Sequence, residues 1–276
     1  MRVWPSPSQT NLIIVGITAA GFALTLYVFY PGVITFDALY IYKDMAKGTF
    51  GDWQSPAMLA LWSFIDPIAP GTGSILLLTV TLYWLSFALA ALAISRRSPQ
   101  LAVLVPVLAL LPPAFVLVGV IWRDILFAIV WMLGAAAVFV AAERDWKLRV
   151  PVQMLAFALF LFGVLLRPNA LAAAPLLAAY LIWPKRFSWK RTALLYVPAA
   201  LGLYGLVQVV YYDVFNAQRQ HPLHSIMVFD LGGTSHFAKE NVFPEHGPRR
   251  RTTSSPTAVI IRSHGTFIGR NSRVCS

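Results

Sequence analysis

Carboxylates are scarce in this chain, and four of its 11 acidic residues fall in a single loop. Asp37, Asp44, Asp52 and Asp66 lie between positions 31 and 74, with a long apolar run on either side. Carboxylates held at a membrane surface beside apolar helices suit a site that handles a polar substrate at the lipid boundary. Asp37 follows Tyr30-Pro31-Gly32, which should end the preceding helix, and Thr35, which can cap a new one. That spacing puts Asp37 in a first helical turn, where the helix dipole favours the ionised form. A helix-start aspartate with no further task would read the same way. Asp52-Trp53-Gln54 sets an aromatic ring beside hydrogen-bonding groups, a composition that suits a sugar face, although an interfacial tryptophan explains it equally. Asp124 abuts Arg123 at the start of a later apolar run. An interfacial ion pair would account for both, but charge at membrane depth is costly and argues for a role. Arg167 sits between two further runs, followed by Pro168 and Asn169.

Other chemistries find little footing. His221, His224, His236 and His246 follow no metal-ligand spacing, so no metal site is expected, although dependence on a divalent metal is left open. No serine has a Gly-x-Ser-x-Gly context, which leaves a hydrolase unsupported. The single cysteine, Cys275, excludes an internal disulfide and a thiolate cluster.

The elements that must position these residues are membrane helices. Hydrophobic residues make up 58% of the chain and charged residues 12%, against roughly 45–50% and 25% in soluble domains. The mean hydropathy is +0.67. The expected fold is all-α and polytopic, with about seven spans at 12–29, 75–94, 101–122, 125–142, 150–166, 170–183 and 192–212. The third contains Pro106, Pro112 and Pro113, and the sixth is short enough to be tilted, kinked at Pro175 or re-entrant. Loops after the even-numbered spans hold Arg96, Arg97, Arg144, Lys147, Arg149, Lys185, Arg186, Lys190 and Arg191. Regions after spans one, three and five hold only Lys43, Lys47, Arg123 and Arg167. By the positive-inside rule, residues 1–11 are cytoplasmic and the aspartate-rich loop 31–74 lies outside. Arg123, Asp124, Arg167 and the segment 213–246 fall on that same outer, periplasmic side of a plasma membrane, taken as a bacterial inner membrane. Tyr30, Trp122, Trp146, Trp183 and Tyr211 sit near span ends, as interfacial aromatics do.

Within the outer loop, 36–47 reads as a short amphipathic helix on the leaflet, ended by Gly48, and 56–65 as a second. Of the formal charge of +11, six positive charges come from arginines in the tail 247–276, which has no acid. That tail reads either as a frameshifted terminus or as a basic disordered segment. Its outer placement argues against nucleic acid as a partner.

These motifs, taken together, resemble the GT-C glycosyltransferases, polytopic enzymes that draw sugars from polyprenyl-phosphate donors. Protein O-mannosyltransferases and the aminoarabinose transferase of lipid A are examples, and uncharacterised bacterial members form a further branch. The resemblance rests on Tyr-Pro-Gly-x4-Asp at 30–37, Asp-Trp-x-x-Pro at 52–56, Trp122-Arg123-Asp124-Ile125-Leu126-Phe127, Leu166-Arg167-Pro168-Asn169-Ala170, and Asp230-Leu231-Gly232-Gly233-Thr234-Ser235-His236. It covers roughly 10–245.

It implies inverting transfer of a sugar from a lipid phosphate to a glycan, lipid or protein acceptor at the outer face. Such transfer requires a carboxylate base and cations around the leaving phosphate. Asp37 would then be the base, with Asp124 the second choice. Arg123 and Arg167 would bind the donor phosphate, and Asp52, Trp53, Gln54 and Asn169 the substrate. The chain departs from the pattern in three respects. Many members have two adjacent acids where Asp37 stands between Phe36 and Ala38, relatives often show His at the position of Gln54, and members usually carry more spans and a soluble C-terminal domain. A transporter or flippase, and an inactive fragment of a transferase, are the alternative readings. The nearly uncharged span interiors weigh against transport.

Overall fold

The computed structural model describes residues 7–143, 149–184 and 188–244. The expectations about the tail 247–276, and about His246, Trp146, Arg144, Lys147, Lys185 and Arg186, lie outside the described residues. The chain divides into two compact units, 1–223 and 224–276.

The first unit is built from α1 (Pro7–Phe29), α2 (Phe36–Lys47), α3 (Pro56–Ile65), α4 (Thr72–Ile94), α5 (Pro99–Leu108), α6 (Pro112–Val118), α7 (Arg123–Glu143), α8 (Arg149–Leu166), α9 (Ala174–Ile182) and α10 (Trp189–Gln208). A wider π-helical turn, Val209–Val214, prolongs α10, and 3-10 turns follow α3 and α8. Two short strands, β1 (Val33–Ile34) and β2 (Val120–Ile121), pair in parallel. The described part of the second unit is helix α11 (Pro222–Ala238), which begins at the boundary, and the residues after it.

The fold is all-α, and its long helices are those of a membrane protein. α1, α4, α7 and α10 with its π turn are each long and apolar enough to cross a bilayer, and α5 with α6 makes up to a fifth as a span bent by 54°. The expected stretch at 150–166 forms the shorter α8, and that at 170–183 divides between a 3-10 turn and the nine-residue α9. Nine residues rise only about 13 Å, well short of a ~30 Å hydrocarbon core.

α4 packs against α1, α5 and α7, and α7 against α8, with Arg97, just after α4, paired to Glu143 at the end of α7 at 2.7 Å. Gly21 of α1 has no side chain because Trp84 of α4 occupies that space, and a Cβ there would lie 2.1 Å from the indole. Trp84 Nε1 donates to Thr25 Oγ1 at 3.0 Å across the same interface. Between α7 and α8, Trp131 stacks on Phe160 and donates to its carbonyl at 3.1 Å, over the space left by Gly163. The central core joins α4 and α7 through Leu76, Val80, Leu126, Ile129 and Val130.

The bend between α5 and α6 has a clear cause. Pro112 and Pro113 carry no N–H, so the carbonyls four residues earlier lose their helical donors. The Ala109 carbonyl instead accepts from Tyr83 Oη at 2.6 Å, and the Leu108 carbonyl from Leu111 N at 3.1 Å. In hydrocarbon such replacement donors are required, because no water is there to supply them.

The two helices expected between positions 31 and 74 form with the expected bounds. Thr35 caps α2, and Gly48, at φ 64°, ends it in the left-handed conformation. α3 is a different kind of element from the leaflet helix expected. Ala57, Met58, Leu59, Trp62 and Ile65 are buried, so it is a core helix, and Trp62 Nε1 is satisfied by the Gly71 carbonyl at 3.0 Å. The stretch 230–236 lies inside α11, although its glycines and short polar residues favour loop.

Candidate functional site

The site forms where the chain leaves α1, enters α7, leaves α8 and leaves α10. Two capping residues tie these places together, each through both faces of its hydroxyl. Thr35 Oγ1 accepts from Ala38 N at 3.2 Å, starting α2, and donates to the Ile121 carbonyl at 3.1 Å. Ser55 Oγ accepts from Met58 N at 3.2 Å, starting α3, and donates to the Leu165 carbonyl at 2.9 Å. The Leu165 carbonyl belongs to the last turn of α8, where no helical donor remains, and Tyr211 Oη donates to it as well.

The β1–β2 pair completes the first tie. Val33 faces Val120 and Ile34 faces Ile121, with Val33 N bonded to the Gly119 carbonyl at 2.9 Å. Gly32 makes the approach feasible. Its φ of +110° suits glycine, and a Cβ would stand 2.8 Å from Ile121. The consequence is chemical. Asp37, in the first turn of α2, is brought within Coulombic range of Arg123, at the start of α7.

Asp124 pairs with Arg167 across the α7–α8 junction, both side chains being about a third exposed. The sequence neighbour Arg123 is not its ion-pair partner. The Arg123 guanidinium reaches instead to the Trp53 carbonyl at 3.3 Å, within Coulombic range of Asp37, Asp124, Arg167 and Tyr211. Arg167 is thus neutralised by Asp124, while Arg123 keeps charge to offer an anion.

Asp37 Oδ1 accepts from Gln54 Nε2 at 3.3 Å. Gln54 is only 8% exposed, and its Oε1 has no hydrogen-bond partner. Beside these two residues opens a cavity of about 380 Å³, lined by Phe36, Asp37, Tyr40, Asp44, Trp53, Gln54 and Gln220. That size falls within the range of small-molecule sites.

Asp52 turns away from this cavity wall and holds the end of α10. Its Oδ2 accepts from Tyr212 Oη at 2.8 Å and its Oδ1 from Gln220 N at 2.6 Å. Gln220 returns a bond, its Oε1 accepting from Trp53 N at 3.0 Å, and Arg219 lies over the Tyr212 ring at 4.0 Å. Asn169 is exposed on the 3-10 turn after Arg167 and does not line the cavity. Asp66 accepts from Gly71 N at 2.9 Å and serves the turn into α4.

Of the eight residues singled out from the sequence, Asp37, Trp53 and Gln54 line the cavity, Arg123 bonds to the Trp53 carbonyl, and Asp124 and Arg167 form an ion pair with each other and do not line the cavity. Tyr40, Asp44, Gln220, Tyr211 and Tyr212 were not singled out as site residues. Tyr40 and Asp44 follow Asp37 at i+3 and i+7, one face of a helix, and that spacing was the available signal. Among the described residues no group of three His, Cys, Asp or Glu gathers to hold a metal ion. No protein-family model, curated protein or solved structure matches the chain.

Proposed function

We propose that this protein is a membrane glycosyltransferase of GT-C type, using a polyprenyl-phosphate sugar at the outer face of a plasma membrane. The observation that carries the reading is that Arg123, a cation without an ion-pair partner among the described residues, bonds the carbonyl of the cavity residue Trp53 within Coulombic range of Asp37, a cavity carboxylate 86 residues away in sequence. In this reaction Asp37 takes the proton from the acceptor hydroxyl or amine. The acceptor atom bonds to the anomeric carbon from the face opposite the leaving group, and the bond from that carbon to the lipid phosphate oxygen breaks. Arg123 receives the departing phosphate, while the Asp124–Arg167 pair fixes the α7–α8 junction beside it.

The proposed topology has seven passes, N-terminus inside. Its support is that the ends of α1, α8 and α10 and the start of α7 meet at one site. α10 with its π turn is 26 residues long and arrives at that site. The chain leaves the same site at Arg167, so the intervening 3-10 turn and α9 must carry it to the opposite end. A short sixth pass follows.

The bent α5–α6 pair is the feature that favours transport, since transporters use broken helices at the midplane. Here the freed carbonyls are satisfied by Tyr83 and Leu111, and no Asp, Glu, Lys, Arg or His lies between positions 98 and 122. The transferase reading is therefore preferred.

The test is transfer of labelled sugar from a panel of polyprenyl-phosphate sugars in membranes holding wild type or Asp37→Asn. Loss of a catalytic base should lower transfer by about 10²–10⁴-fold with insertion unchanged. Full transfer by Asp37→Asn would remove Asp37 from the role. Absence of transfer in correctly inserted wild type, across the panel, would remove the reading.

A further inference from the structure

We infer that the elbow joining α3 to α4 is inserted into the lipid leaflet that meets the N-terminal end of α4, as an anchor separate from the membrane-crossing helices. At this elbow Phe64 is 82% exposed and Ile68 76%, four residues apart, with Ser63, Pro67 and Pro70 exposed around them. Between Trp53 and Ser95 the one charged residue in the sequence is Asp66. The preceding helix α2 is different, because Lys43 and Lys47 are among its exposed positions. A bulky apolar pair on an uncharged turn is unfavourable in water and marks a contact surface.

The independent observation is how the polar groups of the elbow are paired. Ser63 Oγ, although its residue is exposed, donates back to the Leu59 carbonyl at 2.9 Å. Asp66 N donates to the Trp62 carbonyl, and Asp66 Oδ1 accepts from Gly71 N at 2.9 Å. The Gly71 carbonyl accepts from Trp62 Nε1 at 3.0 Å and from Ser74 Oγ at 3.4 Å, and the Ala69 carbonyl from Ser74 N at 3.0 Å. Pro67 and Pro70 have no N–H to satisfy. Internal pairing of this kind is what a low-dielectric surrounding demands, since hydrocarbon offers no hydrogen bonds. A protein partner would bring hydrogen bonds of its own and would not require it.

Position in the fold supplies the same occupant. The elbow runs directly into Thr72, the first residue of α4, which is long and apolar enough to cross a bilayer. It therefore stands at a membrane boundary, whichever end of α4 faces outside. Tyr30, just past the end of α1, lies against Gly73, and Tyr27 and Tyr30 are exposed there, as aromatic residues are at a bilayer interface. At its other end α3 begins with Pro56, two residues after the cavity residue Gln54. Anchor and cavity are thus linked by one ten-residue helix.

The experiment is spin labelling of the full chain in phosphatidylcholine nanodiscs, in a Cys275→Ser background, with a nitroxide on Phe64→Cys or on Ile68→Cys. Lys47→Cys, exposed on α2, is the water reference, and Leu201→Cys, exposed on α10, is the lipid reference. Oxygen concentrates in hydrocarbon and a neutral nickel chelate in water. Both elbow labels should be relaxed more by oxygen than by nickel, at a depth of about 5–10 Å into the boundary between headgroups and acyl chains. Nickel dominance at either position, as at Lys47→Cys, would put the elbow in water and overturn the proposal. Shielding from both reagents would overturn it in favour of a second copy of the chain or another protein. The outcome depends neither on the orientation of α4 nor on sugar transfer.

Discussion

Helices α7 and α10 are both apolar enough to cross a bilayer, yet 56% of the most apolar window of α7 is buried inside the protein against 6% for α10. The two are held by different physics. α7 is packed along its length, with Trp131 stacked on Phe160 and Gly134 lying against the Ala156 backbone. α10 presents Leu194, Val197, Leu201 and Tyr204 outward, and lipid tails receive such side chains as well as protein does. What positions it is a few hydrogen bonds from tyrosines: Tyr196 to the Ala172 carbonyl at 2.6 Å, Tyr211 to the Leu165 carbonyl, and Tyr212 to Asp52. Both helices nonetheless deliver groups to the same site. Close packing supplies the rigid support for Arg123 and Asp124, and a polar latch places Gln220 in the cavity wall.

The strongest way to break this contrast is Asp52→Ala. It removes the acceptor for Tyr212 Oη and for Gln220 N together, and hydrogen bonds to a charged group contribute roughly 1.5–3 kcal/mol each. Local opening at the end of α10 should become easier by about 3 kcal/mol. Hydrogen exchange in nanodiscs should show faster exchange over 209–220, with α7 and α8 unchanged. Unaltered protection at 209–220 would mean that something other than the latch holds α10.

Gly21→Ala tests the packed side. The added Cβ would lie 2.1 Å from the Trp84 ring, so α1 must move away from α4 or the indole must leave Thr25. Overpacking of this kind costs about 2 kcal/mol, and the midpoint of thermal unfolding should fall by roughly 5 °C. An unchanged midpoint would show that the α1–α4 interface is looser than its geometry.

Tyr83→Phe is smaller and sharper. It keeps the ring in its core position, T-shaped against Phe87, and removes only the donor to the Ala109 carbonyl. A buried carbonyl left unpaired costs about 1–2 kcal/mol, so the midpoint should fall by about 3 °C. A neutral result would imply that the break between α5 and α6 finds another donor, and would reopen it as a mobile hinge.

The same contrast explains what the sequence made legible. Strong local signals survived folding: Thr35 and Gly48 bound α2, and Ser55-Pro56 opens α3. The run of apolar residues marked the long helices, because their outward faces meet lipid. Burial of α3 was not legible, since its composition suits a leaflet surface or a core. The β1–β2 pairing was invisible, because two apolar residues carry no period. Asp124 has a cation next to it in sequence and another 43 residues away, and only the antiparallel packing of α7 on α8 makes Arg167 the partner. Asp52 looked like a substrate residue because its neighbours are Trp53 and Gln54, and its latch role depends on Tyr212 and Gln220, over 150 residues later. In α11, Asp230, Gly232, Gly233 and Thr234 argue individually against helix, yet the helix forms, so local propensity was a poor guide there.

Gly202→Ala should have the smallest effect, and its sign is informative. Gly202 lies in the middle of α10 with nothing within 4 Å of an added Cβ. Alanine is favoured over glycine in a helix interior by about 1 kcal/mol, and no neighbour opposes it. The midpoint of thermal unfolding should therefore stay level or rise by a degree or two, opposite in sign to Gly21→Ala although the chemical change is identical. The pair isolates packing from propensity, because the same methyl group meets an indole in one helix and open space in the other. A fall for Gly202→Ala as large as that for Gly21→Ala would show that the outer face of α10 is packed in the membrane, against a further helix or a second copy of the chain. The latch would then be a consequence of that packing and not the cause of α10's position.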